Sequence, residues 1–493
     1  MTSQIKTAGS PRTVFGWPRW FGTLFVVDMW ERFSFYGMLA ILYLYLVAPR
    51  SQGGLAMAPD TASALFGIYM ALVFMAALPG GWVADRVLGA RRAVFSGGVL
   101  IASGHLCLAI PVESALYPGL GLIIVGTGLV KPSMAAMIGE MYPGRPERRE
   151  AVFSIFYMSI QVSALFAPLL TGYAAERVNW HLGFGIAAVG MLAGLVQYAY
   201  GLRNFGDVGV HPTNPATPAE RSRVLRGTAW WAGVPLLLAG AGIAAGVLTL
   251  DRILMLIGLV LLAAPILYVR RLRRRPEVGP GDRPRLRAFL WMLVASSVFW
   301  MMYAQGPALL NLFARDAVDR DVAGFEVPAS WFQSAQPLFL LLLAPVFALL
   351  WTRLGARVAT PPKFAAGLLA GGLSFGVMAL AAVQAESELI SPLWLLVVYL
   401  LIVCGELAVG PVGLSLAAEV APRGNTSQVL GLFWMFAAIG AAFGGRLAEL
   451  TTVVSLPVYY LVLAVLGTCT ALALAAGART LGRRLKAPPG GET

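Results

Sequence analysis

Five ionisable residues lie inside long apolar stretches of the sequence: Asp28, Glu31, Arg32, Lys131 and Glu406. A charged side chain in a hydrocarbon environment is costly, so it usually faces a cavity, has a partner and marks a functional path. The first three are spaced i, i+3 and i+4, which places them on one helix face. Charges of both signs in one chamber could bind the two ends of a zwitterion and exchange a proton. A purely structural set of ion pairs between helices is the alternative.

The composition indicates the kind of element that carries these charges. Of the 493 residues, 58% are hydrophobic and only 12% are charged, and the mean hydropathy is +0.73. A soluble domain has about 45–50% apolar and about 25% charged residues. These values exclude a disordered chain and a nucleic-acid-binding protein, and they predict an integral membrane protein.

The apolar runs predict fourteen transmembrane helices, each long enough to cross a bilayer, which requires about 20 residues. Two of them, 229–249 and 252–270, are flanked by basic, proline-rich segments and lack internal charges, which predicts an inserted hairpin. The expected organisation is a six-helix bundle at 1–203, a linker with the hairpin at 204–286, and a second bundle with a short tail at 287–493. The fourteen segments are 20–48, 61–84, 93–111, 115–139, 150–175, 181–202, 229–249, 252–270, 287–314, 328–352, 363–385, 391–419, 427–450 and 456–477.

The basic residues predict the orientation of these helices. Most Lys and Arg residues fall in alternate loops, including the runs at 270–275 and 283–287, and the opposite loops hold few of them. The positive-inside rule then places both termini in the cytoplasm. The polar segment before the first helix does not resemble a cleaved signal peptide. We therefore expect a multi-pass protein of the cytoplasmic (inner) membrane.

Histidine and cysteine usage argues against an enzyme. The three cysteines are isolated in apolar runs, and the three histidines lack metal-ligand spacing to each other or to cysteine. We expect free thiols, no metal and no cofactor, and no nucleophile–base pair is apparent. The residues concerned are Cys107, Cys404, Cys469, His105, His181 and His211.

Several motifs, in order along the chain, resemble those of a transporter family. The stretch DMWERFSFYG at 28–37 resembles E-x-x-E-R-F-x-Y-Y-G of the proton-dependent oligopeptide transporters, a family of the major facilitator superfamily. GTGLVKP at 126–132 resembles the fourth-helix lysine motif, FYMSIQVSAL at 156–165 the fifth-helix motif and FQSAQPLF at 332–339 the eighth-helix motif. Gly405-Glu406 is similar to the tenth-helix motif. The resemblance implies two six-helix bundles and the extra hairpin of bacterial members.

The resemblance also implies symport of di- and tripeptides with protons by alternating access. Arg32 and Lys131 would hold the peptide carboxylate, and Glu406 in the other half would hold the ammonium group. Asp28 and Glu31 would couple transport to protons together with Arg32 and Lys131. Because a lone lysine is unfavourable in a low-dielectric bundle, we expect Lys131 to pair with Asp28 or Glu31.

Further residues follow from the same resemblance. The pocket would be lined by aromatic and amide side chains, namely Tyr36, Tyr69, Phe74, Gln161, Trp300, Gln336 and Trp434. The loop after the second span resembles the superfamily's signature loop, which latches helices on the cytoplasmic side during gating. Its expected gating residues are Asp85, Arg86 and Arg91. The expected partners are a small peptide, protons and the lipid bilayer, with no nucleic acid, and the protein is expected to be monomeric.

The sequence departs from the family pattern inside the site itself. Ala304 stands where the family has a seventh-helix glutamate, Phe74 where a tyrosine is usual, and Asp28 where a glutamate is usual. Gln161 and Gln336 replace asparagines that hold the peptide backbone. A second interpretation therefore remains open: a transporter of the same fold with altered proton coupling. Its substrate would be a modified peptide, a peptide-like metabolite or another small anion.

Overall fold

The computed structural model describes residues 13–14, 17–141, 146–228, 230, 238, 241–242, 245–273, 282–354, 357–421 and 426–485. Almost all of these residues are helical, and twelve helices of this part are long and apolar enough to cross a membrane. The first helix, Arg19–Val47, is a further 29-residue helix that carries the charges of the first motif. The predicted all-α membrane architecture of two helical bundles with an insertion is confirmed.

The N-terminal bundle consists of seven helical segments that form six spans. α2 and α3 are one bent span that ends in a π turn at Ala84–Leu88, after which Gly89 adopts a φ of 79° and starts α4. Asn179 caps α7 by accepting a hydrogen bond from the Leu182 amide at 2.7 Å. The segments are α1 Arg19–Val47, α2 Pro59–Met75, α3 Ala77–Val83, α4 Ala90–Ala109, α5 Leu116–Met141, α6 Pro146–Arg177 and α7 Trp180–Gly201.

The linker contains a short polar helix and the insertion. α8 spans Pro218–Thr228 and α9 spans Leu250–Arg273. α9 confirms the second hairpin helix expected at 252–270. The first hairpin helix, expected at 229–249, lies mostly outside the described residues. α9 packs against α2 and one helix of the C-terminal bundle, and most of its residues are not buried, so this helix lies at the periphery of the described structure.

The C-terminal bundle repeats the six-span plan, with two spans that are not continuous helices. The expected span 287–314 ends as an α-helix at Tyr303 and continues through a π turn at Gly306–Leu310, where Pro307 has no amide hydrogen to donate. The expected span 328–352 begins with a 3₁₀ segment at Ala329–Ser334. The helices are α10 Asp282–Tyr303, α11 Asn311–Ala317, α12 Ala335–Leu354, α13 Thr360–Gln384, α14 Leu393–Val420, α15 Thr426–Leu447 and α16 Leu456–Leu485.

Two short antiparallel hairpins complete the described structure. β1 Thr13–Val14 pairs with β2 Trp17–Pro18 ahead of α1. β3 Asp321–Val322 pairs with β4 Phe325–Glu326 in the register Asp321↔Glu326, in the acid-rich loop before the 3₁₀ segment.

Small residues allow the two bundles to approach closely. A Cβ added at Gly67 of α2 would lie 2.7 Å from the Ala441 carbonyl oxygen and 3.0 Å from the Gly445 Cα of α15. Only a residue without a side chain fits such a contact. The small residues Gly440, Ala441, Ala442, Gly444 and Gly445 therefore allow α15 to pack onto the N-terminal bundle.

The two ends of the molecule differ. At the end with the Asp85–Arg91 loop, the Arg285 guanidinium donates to the carbonyls of Leu485 and Glu419, both at 3.1 Å. At the opposite end, the Asn311 amide donates to the Ala40 carbonyl at 2.8 Å and joins the two bundles. Near the middle, Tyr157 and Trp434 lie between the bundles and expose 44% and 37% of their surface. The bundles are thus joined at the non-cytoplasmic end predicted from the sequence.

Candidate functional site

The three charges of α1 form a compact buried cluster. The Arg32 guanidinium is paired with the Glu31 carboxylate and lies 3.9 Å from Asp28 Oδ1. The second Asp28 oxygen accepts a hydrogen bond from the Ser159 hydroxyl of α6 at 2.6 Å. Glu31 is fully buried, and its Oε1 has no hydrogen-bond partner. A buried carboxylate oxygen without a hydrogen-bond partner is energetically unfavourable.

Lys131 does not make the expected ion pair, and that prediction is wrong. Among the described residues it has no carboxylate within 4.0 Å. Its ammonium group instead lies between two aromatic rings, 5.3 Å from the centroid of Phe35 and 5.4 Å from that of Phe74. Arg32 lies on the same helix face as both acids and is already paired with them, so Lys131 is left for the negative faces of the rings.

Aromatic contacts connect the Phe74 ring beside Lys131 to the C-terminal bundle. The Phe74 ring stacks on Trp434 of α15 with centroids 5.7 Å apart and an interplanar angle of 7°. Trp434 in turn lies 6.0 Å from Trp300 of α10. Phe74 therefore contacts the lysine on one side and the C-terminal bundle on the other.

Glu406 is the acidic group of the facing bundle. It lies on α14, and its Oε2 accepts a hydrogen bond from the Gln336 side-chain amide of α12 at 3.3 Å. The Tyr36 hydroxyl is within electrostatic reach of Glu406 and also of Arg32 and Glu31. Tyr36 of α1 is thus near charged groups of both bundles, which supports a shared site between them.

The remaining predicted lining residues are in the walls of this region, and several have unsatisfied polar groups. Tyr69 is 2% exposed and Trp300 is 8% exposed, yet the Tyr69 hydroxyl and the Trp300 indole N–H have no hydrogen-bond partner. Gln161 is 8% exposed and lies next to the Tyr157 phenol. Buried polar groups are normally satisfied, so unpaired donors between the bundles suit a bound ligand or water.

Three participants were not predicted as site residues. Phe35 faces Lys131, Ser159 binds Asp28, and Tyr303 lies within electrostatic reach of Glu406. Phe35 could have been found from its i+4 spacing to Glu31, and Tyr303 from its i+3 spacing to Trp300. Ser159 carries no signal of this kind, because its partner lies 131 residues away.

The predicted gating residues lie far from the charge cluster and bind the linker. The Arg86 guanidinium pairs with Glu220 of α8 at 2.8 Å, and the Arg91 guanidinium donates to the Gly206 carbonyl at 2.6 Å. The Asp85 carbonyl accepts from the Asn214 amide at 3.1 Å. A hydrogen bond from the Thr217 amide lowers the pKa of the exposed Glu220 carboxyl, so the Arg86 pair stays ionised at neutral pH.

Comparison with known proteins is consistent with this arrangement. The sequence model of the POT family, PTR2, matches residues 91–462. The chain is 39% identical to the uncharacterized transporter YclF of Bacillus subtilis (strain 168), with 88% of each chain covered. It is 35% identical to a di-/tripeptide transporter of Lactococcus lactis subsp. cremoris, over 89% of this chain and 90% of the relative. A crystal structure of a peptide transporter POT in complex with sulfate superposes with a TM-score of 0.92 and 40% identity, and covers 97% of this chain and 98% of the other.

Proposed function

The chain belongs to the POT family of multi-pass membrane transporters, and we propose that it is a proton-coupled symporter that imports di- and tripeptides by alternating access. The proposal is supported by the buried Arg32–Glu31 pair on one bundle and the Glu406 carboxylate on the other, both of which act electrostatically on the Tyr36 hydroxyl. A chamber with charges of opposite sign on its two walls fits a zwitterion of peptide length. The cytoplasmic membrane is the proposed location, and the monomer is the proposed functional unit.

The substrate's carboxylate is assigned to the cations of the N-terminal bundle. Lys131 is suited to this role because aromatic rings hold its ammonium group without neutralising it. Arg32 becomes available only when its acidic partners release it. Glu406, which accepts one hydrogen bond from Gln336, is assigned to the peptide ammonium group.

Peptide side chains would be accommodated by the aromatic wall. Phe74, Trp300 and Trp434 contact one another through their rings, and Tyr36 and Tyr69 add phenol groups. Apolar faces with few fixed polar groups bind residues of many shapes, which favours broad selectivity. Binding that engages both bundles at once also supplies free energy for closing the chamber.

Proton coupling is assigned to Asp28 and Glu31. A proton on either carboxyl weakens its hold on Arg32, and the released guanidinium can then bind the peptide carboxylate. Ser159 keeps Asp28 oriented through its 2.6 Å hydrogen bond. Proton and peptide thereby favour the same conformational change, as symport requires.

One observation favours the second interpretation, a transporter with a different small substrate. Gln336, expected to hold the peptide backbone, donates its amide to Glu406 instead. Ala304 is also 9% exposed and has no titratable group. A site rearranged in this way would suit a modified peptide, a peptide-like metabolite or another small anion, with altered proton coupling.

Transport in liposomes tests the proposal. Purified protein with an inward gradient of a dialanine-type peptide should acidify a lumenal pH dye. Lys131→Ala and Glu406→Ala should abolish uptake, whereas Glu113→Gln, in an exposed surface pair, should leave it unchanged. Peptide entry without acidification would refute proton coupling. Failure to take up any of a panel of di- and tripeptides, with uptake of a single amino acid or modified peptide, would establish the second interpretation.

A further inference from the structure

The non-cytoplasmic end of the molecule is closed by a set of hydrogen bonds that cross from one bundle to the other. α6 of the N-terminal bundle presents successive positions along one face to the 3₁₀ segment Ala329–Ser334 of the C-terminal bundle. The Leu165 carbonyl accepts from the Ser334 hydroxyl at 2.8 Å, and the Leu169 carbonyl accepts from the Trp331 indole at 2.9 Å. These bonds must break for this end to open.

Glu176 is the charged member of this set. One of its carboxylate oxygens accepts the Ala329 amide at 2.8 Å, and the other accepts the Ser330 amide at 2.9 Å and the Ser330 hydroxyl at 2.5 Å. Ala329 and Ser330 are fully buried. A carboxylate that accepts several donors forms charge-assisted bonds, which are about twice as strong as neutral ones.

Residues on α6 and on the 3₁₀ segment are both suited to this contact. Gly172 lies one turn before Glu176, and a side chain there would collide with the Ser330 hydroxyl oxygen. The carboxylate also binds the first amides of the 3₁₀ segment, which have no acceptor within that segment. A 3₁₀ start in place of a continuous helix therefore presents two free N–H groups to a partner on the facing bundle.

We propose that Glu176 is the latch of the outer gate, a positioning residue that stabilises the outward-closed state by binding Ala329 and Ser330 across the bundle interface. The proposal rests on the proposed alternating access and names a residue that controls one of its two gates. Glu176 need not contact the substrate. The neighbouring pair Arg177–Glu326 also crosses the interface, but its carboxylate is half exposed and makes a weaker contribution.

The test measures gate opening directly. Spin labels at Val112 and Leu389, exposed residues in outer loops of the two bundles, would report the distance between the bundles in nanodiscs. The background replaces the three native cysteines. Glu176→Ala should raise the ratio of the long-distance to the short-distance population about tenfold, and Glu176→Gln should raise it less. The matched control Glu113→Gln removes an acid at the same end whose partner, Arg50, belongs to the same bundle, and it should cause no change.

A double-mutant cycle separates the latch from a general loss of packing. Ser330→Ala should open the gate by itself, and adding it to Glu176→Ala should have less than the additive effect, because both changes remove the same bond. Fluorescence-detected size exclusion checks folding. An unchanged distance distribution in Glu176→Ala and Glu176→Gln, or an equal shift in Glu113→Gln, would overturn the proposal. Because the distances require neither peptide nor proton uptake, this result is independent of whether the proposed transport activity is correct.

Discussion

Replacing Phe74 tests how Lys131 is held before substrate arrives. The Phe74 ring centroid lies 5.4 Å from the Lys131 ammonium nitrogen, within the roughly 6 Å range of a cation–π contact. Such a contact contributes about 0.5–2 kcal/mol, depending on how far the site is desolvated. Phe74→Leu removes this contribution from the substrate-free state, while the Phe35 ring stays at 5.3 Å.

The effect should appear only for substrates with a free carboxylate. In the bound state Lys131 pairs with the substrate carboxylate and depends less on the Phe74 ring. Loss of the ring therefore destabilises the substrate-free state more than the bound state, and the free energy of binding becomes more favourable by about the lost cation–π contribution. Since about 1.4 kcal/mol corresponds to a factor of ten, a dipeptide should gain about 2- to 30-fold in affinity relative to its C-terminal amide. The ratio of the two dissociation constants is the observable, because altered packing against Trp434 changes both equally.

Isothermal titration in detergent gives both dissociation constants. Phe74→Tyr is the control, since it keeps a ring beside the ammonium group and should leave the acid-to-amide ratio near that of the unmodified protein. If Phe74→Leu leaves the ratio unchanged or lowers it, or if Phe74→Tyr has the same effect as Phe74→Leu, then the rings do not hold Lys131 in the resting state.

Three further perturbations follow from single contacts. Glu31→Gln leaves the Arg32 guanidinium without its closest anion; we expect peptide counterflow to persist while proton-driven accumulation is lost, and accumulation at the unmodified level would contradict the assignment. Gly67→Ala should lower stability by about 1–3 kcal/mol because the added Cβ would lie 2.7 Å from a backbone oxygen of the facing helix; melting in detergent measures this, and Gly258→Ala, where nothing lies within 4 Å, should not lower it. Glu220→Gln should lower the protection of the α8 amides against hydrogen exchange. Acidification should lower the same protection, corrected for the intrinsic exchange rate, in the unmodified protein, because the lowered pKa keeps the carboxylate charged until the pH falls below its ordinary range. Equal protection in Glu220→Gln and in the unmodified protein at neutral pH would show that the ion pair does not fix the linker.

The helices could be predicted because a membrane span is encoded by consecutive residues of the sequence. Long apolar runs bounded by charges reproduced the spans to within a few residues in most cases, as in α1, which was expected at 20–48 and lies at Arg19–Val47. The prediction missed the interruption at Gly306–Leu310 and the 3₁₀ start at Ala329–Ser334. Both segments also contact helices of the other bundle, and although Pro307 is a local signal for the first break, these contacts cannot be read from the local sequence.

In the candidate site, too, relations within one helix could be predicted from the sequence, whereas a contact between helices could not. The spacing of Asp28, Glu31 and Arg32 predicted a shared helix face, and the structure confirms this proximity. The pairing of Lys131 was predicted wrongly because three groups competed for two acids. An arginine on the same helix reaches them without joining two helices, so it pairs first and leaves the lysine to the rings of Phe35 and Phe74. The outcome of such a competition depends on the three-dimensional arrangement of the helices.

The charge balance of the chamber gives a further prediction about stoichiometry. The proposed site contains five ionisable side chains, two cations and three carboxylates: Arg32, Lys131, Asp28, Glu31 and Glu406. Their formal sum is one negative charge. A zwitterionic peptide does not change that sum, whereas a peptide with one proton brings it to zero. Because enclosing an uncompensated charge is costly, the closed, loaded state should be favoured only when both are bound.

This charge balance also predicts the number of protons carried per peptide and the effect of having alanine at position 304. An additional carboxylate at position 304 would bring the formal sum to two negative charges, and a second proton would be needed to neutralise it. The absence of that carboxylate therefore predicts about one proton per zwitterionic peptide. Reversal-potential measurements in liposomes give the ratio directly. Ala304→Glu, placed in the span next to Gln305, should raise the ratio toward two if the new carboxyl shares the chamber. A ratio near two in the unmodified protein would show that a further titratable group takes part and that charge balance among these five side chains does not set the coupling.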